Sequence, residues 1–155
     1  MTRWGKMKTN RIDSFSGDFA FLSNFFESPI EIEGHAYPTV EHAFQAFKTH
    51  NLVERKNIRE AETPGKAKRM GRNVGLRPDW ESVKIELMLA FITKKFKDPV
   101  LKQKLLETGN AELIEGNTWH DTFWGVDSNT GKGKNWLGRL LMEVREEIRQ
   151  ETKGV

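Results

Sequence analysis

The chain has 155 residues, 25 Lys and Arg against 22 Asp and Glu for a formal net charge of +3, and no cysteine. That length suits one domain burying roughly 70% of the surface its unfolded form exposes, and the lack of cysteine excludes disulfides, thiol catalysis and zinc–thiolate sites. No apolar run approaches the roughly 18–20 residues that cross a bilayer, and the charges are mixed along the chain, a balance that suits an anionic ligand better than a dedicated double-stranded DNA surface.

Residues 1–10 are polar and basic with no hydrophobic segment, so a loosely held tail, no signal peptide and a cytoplasmic location are expected. From Arg11 to Thr39 the pattern is β-like and aromatic. Ile30 and Ile32 alternate with Glu31 and Glu33, the period of a half-buried strand, and Glu33-Gly34 turns into a short partner strand near Ala36 and Tyr37. Pro38 and Thr39 then supply the entry and cap of a helix. Its apolar residues Val40, Ala43, Phe44 and Phe47 form one stripe, while Glu41, Gln45 and Lys48 form a polar line on the adjoining face. Such a helix can bury the first line and present the second to a ligand; the plainer alternative is an amphipathic helix with solvated, paired charges.

Leu52 to Glu60 reads as a second short helix. Thr63 caps a third, with Pro64 at its first position, which ends near Gly71 to Gly75 and carries Lys66, Lys68, Arg69 and Arg72. Asp79 is placed to cap a long helix from Trp80 to Lys97, with Val83, Leu87, Ala90 and Phe91 as its buried stripe. Asp98-Pro99 opens the next helix and Gly109 closes it. Ala111 to Ile114 suits a short strand and 117–134 a Gly-rich loop. A final helix begins at Lys134 or Asn135 with Leu137, Leu141, Val144 and Ile148 facing inward, and residues 151–155 are expected to fray. The fold class is α+β: a compact, mostly helical single domain over 11–150 with a few short strands.

Two segments carry chemistry of their own. The loop holding Trp119, His120, Asp121, Phe123, Trp124 and Asp127 is unusually aromatic, and tryptophan walls suit the flat face of a base, although such side chains also serve as core lids. Asp121 reads as a turn former. Lys132, Lys134 and Asn135 lead into a helix start, where ammonium groups and free backbone N–H groups favour phosphate. The four histidines show no HExxH spacing, so no metal site is expected, and nothing calls for a cofactor. Together the parts suit a phosphorylated ribose bearing a flat base.

The blocks Phe21-Leu-Ser-Asn24-Phe, Tyr37-Pro-Thr-Val-Glu41-His-Ala-Phe-Gln45-Ala-Phe-Lys48, Ala67-Lys-Arg-Met-Gly71-Arg, Trp119-His-Asp-Thr-Phe-Trp-Gly-Val-Asp127 and Gly131-Lys-Gly-Lys-Asn135-Trp-Leu-Gly138 resemble the NADAR (YbiA-like) family over about residues 12–150. The resemblance implies an α+β fold and an N-glycosidase. Members are associated with hydrolysis of phosphoribosylamino-pyrimidine intermediates of riboflavin synthesis, or with removal of ADP-ribose from the guanine amino group in modified nucleic acid. Both substrates join an exocyclic amine to ribose C1′. On that basis Glu41 is expected nearest C1′, and Lys48 either as a Schiff-base nucleophile or as a phosphate or ribose contact. Asp127 is the second carboxylate, as general acid or ribose holder. Trp119 and Trp124 are expected beside the base, Asn24 and Gln45 on substrate, and Arg69, Lys132, Lys134 and Asn135 at phosphate. The competing reading is a non-catalytic module that binds ADP-ribose or a related nucleotide.

Overall fold

The structure, a computed structural model, describes residues 10–154. The N-terminal tail expected over 1–10 therefore lies almost wholly outside the described residues. In chain order the elements are β1 (Arg11–Ile12), a 3-10 turn (Gly17–Leu22), β2 (Ile30–Ile32), β3 (His35–Tyr37), α1 (Val40–Ala46), α2 (Leu52–Arg59), α3 (Pro64–Gly71), α4 (Trp80–Lys95), α5 (Pro99–Glu107), β4 (Glu112–Leu113), β5 (Gly116–Asn117), β6 (Val126–Asp127) and α6 (Trp136–Lys153). The class is α+β and mostly helical, as the sequence predicts. The described residues cluster into two compact units, Asn24–Asp98 and 10–23 with 99–154.

The first unit is built around α1. The hairpin that precedes it pairs Ile30 with Tyr37 and Ile32 with His35, and its turn places both Glu33 and Gly34 at positive φ (53° and 83°), a geometry that matches strand twist. Thr39 is extended and caps α1 by accepting from the His42 N–H. All seven residues of α1 are buried, because α2, α3, α4 and β3 pack around it. The polar line of this helix is thus not a solvated face. The His42 ring is pinned between Thr39 Oγ1 (2.9 Å) and the Ala61 carbonyl (3.0 Å), tying the start of α1 to the connection between α2 and α3. At the other end Arg77 donates its backbone N–H to the Lys48 carbonyl (2.8 Å) and its guanidinium to that of Phe47 (3.3 Å). These are carbonyls that a helix C-terminus leaves unpaired.

Two expectations in this unit are corrected. Asp79 precedes α4, but its carboxylate makes no capping bond; it is held instead by Arg77 at 2.7 and 3.1 Å, because a guanidinium fork outcompetes a single backbone N–H. The buried residues of α4 are Trp80, Met88, Phe91, Ile92 and Lys95, with Val83 and Leu87 half-buried and Ala90 exposed. The helix is apolar on several sides, so its composition does not decide which side faces inward; packing against α1 and β2 does.

In the second unit β1 pairs in parallel with β4 (Ile12 with Leu113), and β5 with β6 (Asn117 with Asp127). Gly109 closes α5 at φ 63°, and α6 covers that end: Arg145 donates to Thr108 Oγ1 (2.8 Å) and Arg149 to the Gly109 carbonyl (2.7 Å). Leu137, Leu141, Val144 and Ile148 are buried on α6 as the heptad-like spacing predicts. Gly138 lets the helix press onto β4, since a Cβ there would collide with the Leu113 carbonyl and lie 2.6 Å from Asn135 Oδ1. Helix α6 runs to Lys153, past the point where fraying is expected from sequence. Among the described residues no helix is long and apolar enough to cross a membrane.

Candidate functional site

Glu41 sits in the first turn of α1 and is 7% exposed. Its backbone N–H donates to the Asn24 carbonyl (3.1 Å), and its Oε2 accepts from Gln45 Nε2 at 2.6 Å. The i, i+4 spacing read from the sequence therefore becomes a buried carboxylate–amide pair, the short charge-assisted kind. Asn24 is 8% exposed; its Nδ2 donates to the soft Met88 sulfur at 3.4 Å, and among the described residues its Oδ1 has no hydrogen-bond partner. Gln45 Oε1 shares that condition. A buried acceptor left unpaired costs about 1–3 kcal/mol, so Asn24 Oδ1 is suited to a donor brought by a ligand.

Lys48 follows the end of α1 and is half-buried. Burial lowers its pKa below the ordinary lysine value; the Glu41 charge opposes this, while the charges of Arg72, Lys68 and Lys84 push in the same downward direction. Its Nζ stands 6.0 Å from the centroid of the Trp80 ring. The cations bearing on Lys48 include Lys68 on α3 and Arg72 just past its end, with Lys84 on α4. Arg69, the residue of α3 expected at phosphate, is exposed and lies back along its helix beside Gly65. Nothing local in the sequence separates Lys68 and Arg72 from Arg69, and Lys84 and Trp80 have no local signal either; the packing of α3 and α4 on α1 brings them there.

In the other unit the aromatic loop is internally braced. Asp121 is the turn former expected, its Oδ1 accepting from the backbone N–H groups of Phe123 (3.1 Å) and Trp124 (2.9 Å). Asp127 is buried, and its carboxylate accepts from His120 Nδ1 (2.8 Å) and from the Asn129 N–H (2.8 Å). The His120 hydrogen bond, followed by the Asn129 N–H, holds its pKa below the usual carboxylate range. Asp127 thus anchors the turn that carries it. Trp119 is 59% exposed. Trp124 is half-buried, edge-on to Phe123 at 4.9 Å, and Phe123 in turn meets Trp136 at 6.5 Å. Lys134 Nζ lies 5.7 Å from the Phe123 ring and Arg139 stacks on Trp136 at 4.0 Å. Lys132 and Lys134 are exposed.

The phosphate cradle expected at the start of α6 is filled by the protein itself. The N–H groups of Lys134, Asn135, Trp136 and Leu137 donate to the carbonyls of Thr122, Gly125, Phe123 and Trp124. Asn135 has a left-handed backbone (φ 54°), and its side chain bridges the Glu115 N–H and the Leu113 carbonyl, both at 2.9 Å. Asn135 is a structural clamp, and those N–H groups are not available to an anion. Among the described residues no group of three or more His, Asp or Glu gathers as metal ligands do.

The first unit thus brings together a buried carboxylate aligned by an amide and a lysine whose pKa burial lowers, with Lys68, Arg72 and Lys84 bearing on that lysine. Residues 11–149 match the model of the NADAR domain, and the chain belongs to the NADAR domain family. It is 45% identical over 138 residues to N-glycosidase YbiA of Shigella flexneri, covering 87% of this chain and 85% of that protein. It is 37% identical over 133 residues to a riboflavin biosynthesis protein of Vibrio vulnificus, covering 84% of this chain and 36% of that longer one. The NMR structure of Escherichia coli YbiA superimposes with a TM-score of 0.80 at 39% identity, covering 94% of this chain and 89% of the other.

Proposed function

We propose that the chain is an N-glycosidase that hydrolyses the bond between ribose C1′ and an exocyclic amine of a base, with a phosphorylated ribose as substrate. The enzyme class rests on the relatives named N-glycosidase; the observation that carries the mechanism is the pairing of buried Glu41 with Gln45, beside a lysine whose ammonium is disfavoured. An aminal at C1′ opens to an imine, and the neutral amine of Lys48 attacks that carbon. The C1′–N bond to the base breaks, and Glu41 passes a proton from the Lys48 nitrogen to the departing amine. Glu41 then activates water, which adds to the C1′–Lys48 imine and releases the sugar. Asn24 Oδ1 accepts a hydroxyl or N–H of the substrate, and Lys68, Arg72 and Lys84 attract its phosphate. Arg69 is offered as an outer contact to phosphate.

A phosphoribosylamino-pyrimidine and ADP-ribosylated guanine in nucleic acid are both substrates of this chemical type, and the riboflavin names of longer relatives favour the first. A cytoplasmic site of action agrees with either. Incubating the protein with each substrate and following free base and reducing sugar tests the reading; release of base from at least one supports it, and release from neither overturns it. Borohydride added during turnover fixes Lys48 to the sugar if it is the nucleophile. The same cations around Lys48 suit a purely phosphate-binding lysine, which the absence of that adduct would favour.

A further inference from the structure

Gly71 closes α3 at an ordinary helical conformation, so its backbone does not require glycine, and glycine weakens a helix relative to alanine. What excludes a side chain is Gln45. A Cβ at position 71 would stand 2.8 Å from Gln45 Cδ, 3.1 Å from its Cβ and nearer still to its Oε1. Both residues are buried, on helices that pack together. The Gln45 amide is therefore seated between two surfaces: Nε2 donates to Glu41 at 2.6 Å, while Oε1 turns to the Gly71 backbone and meets no N–H or O–H among the described residues. Reversing the amide would set Oε1 against the carboxylate, so only one orientation serves. A Cα–H of Gly71 is a weak donor to an oxygen in that place.

We infer that Gly71 is a positioning residue for Glu41, leaving the space in which Gln45 must lie to hold the carboxylate. The inference rests on the role given to Glu41 above. Adding one methyl group at 71 forces Gln45 out of its seat and releases Glu41 to other rotamers.

The test uses Gly71→Ala, Gln45→Ala and the double variant in the full chain. Each single variant is expected to lose on the order of 10- to 100-fold in kcat, with KM within about twofold, the loss that follows from one hydrogen bond to a charged group. The double variant should match Gln45→Ala, because the vacated space accepts the new methyl group. Multiplying losses, or Gly71→Ala at the wild-type kcat, overturn the inference. A readout independent of turnover is the Gln45 side-chain amide in 15N NMR spectra, assigned by its disappearance in Gln45→Ala. Its shift should move to that of an unbonded amide in Gly71→Ala; an unchanged signal refutes the inference even if no substrate is cleaved, whereas a wild-type protein that releases no base refutes the functional reading alone. Should Gly71→Ala not fold, the double variant should melt with Gln45→Ala, and a double variant that also fails to fold overturns the inference.

Discussion

Replacing Thr39 removes the oxygen that fixes where α1 begins. Thr39 is 2% exposed; its Oγ1 accepts the His42 backbone N–H (3.1 Å) and meets the His42 ring nitrogen (2.9 Å), while the opposite ring nitrogen is held by the Ala61 carbonyl. Loss of an N-cap costs about 0.5–2 kcal/mol, and leaving a buried ring nitrogen unpaired costs about 1–3 kcal/mol. Because one oxygen serves both, the combined loss for Thr39→Val is about 2–4 kcal/mol, with the side-chain volume unchanged. In a chain of this size that corresponds to a fall in Tm of roughly 5–15 °C. Thr39→Ser keeps the oxygen and should stay within about 1 kcal/mol of wild type. Urea melts followed by tryptophan fluorescence and far-UV circular dichroism measure both. A Thr39→Val protein within about 0.5 kcal/mol of wild type would show that the cap and the histidine contact do not hold α1, and that Glu41, two residues on, is positioned by other means.

Other consequences follow from the same geometry. Arg72 lowers the Lys48 pKa, so Arg72→Ala should raise it, decrease the neutral amine at a given pH and move the rising limb of kcat to higher pH; an unmoved or downward-moving limb contradicts the nucleophile role. Gly138→Ala places a Cβ against the Leu113 carbonyl, and overpacking of this kind should cost about 1–3 kcal/mol despite the better helix propensity of alanine, measurable by urea titration; a stabilised variant would refute the close approach of α6 to β4. Lys95 is 2% exposed, with its pKa lowered by burial to about 7. Its ordinary value near 10.4 in the unfolded chain means that the unfolded state binds the extra proton between the two, so this group makes stability rise with pH from about 7 to about 10.4. Lys95→Met should flatten that part of the stability–pH curve, and an unchanged slope would place the titration elsewhere.

The helix that carries the candidate site was the most legible part of the chain. Thr39, Pro38 and the spacing of Val40, Ala43, Phe44 and Phe47 state its start and its buried stripe locally, and the i, i+4 relation of Glu41 and Gln45 needs no tertiary information. The hairpin at Glu33-Gly34 and the caps at Thr63 and Gly109 were legible for the same reason. What sequence could not supply depends on residues far apart in the chain. Arg77 claims Asp79 and so removes an expected cap. The inward side of α4 is chosen by its neighbours. Residues 122–125 lend their carbonyls to the start of α6, so a segment with the composition of a phosphate cradle is closed by its own loop. The basic cluster shows the same limit: three cations on α3 and Arg72 just after it look alike in sequence, and only the packing against α1 selects Lys68 and Arg72. That Gln45 would need a glycine 26 positions on was invisible without the contact between the two helices.

Single-turnover cleavage by wild type and Glu41→Gln tests the central claim most directly. The substitution preserves size and can still accept the Gln45 hydrogen bond, while the charge and the exchangeable proton are lost. With a phosphoribosylamino-pyrimidine or ADP-ribosylated guanine as substrate, base release should slow by about 10²–10⁴-fold with the fold intact by circular dichroism. Cleavage by Glu41→Gln at the wild-type rate would contradict the assignment of Glu41 and the mechanism built on it.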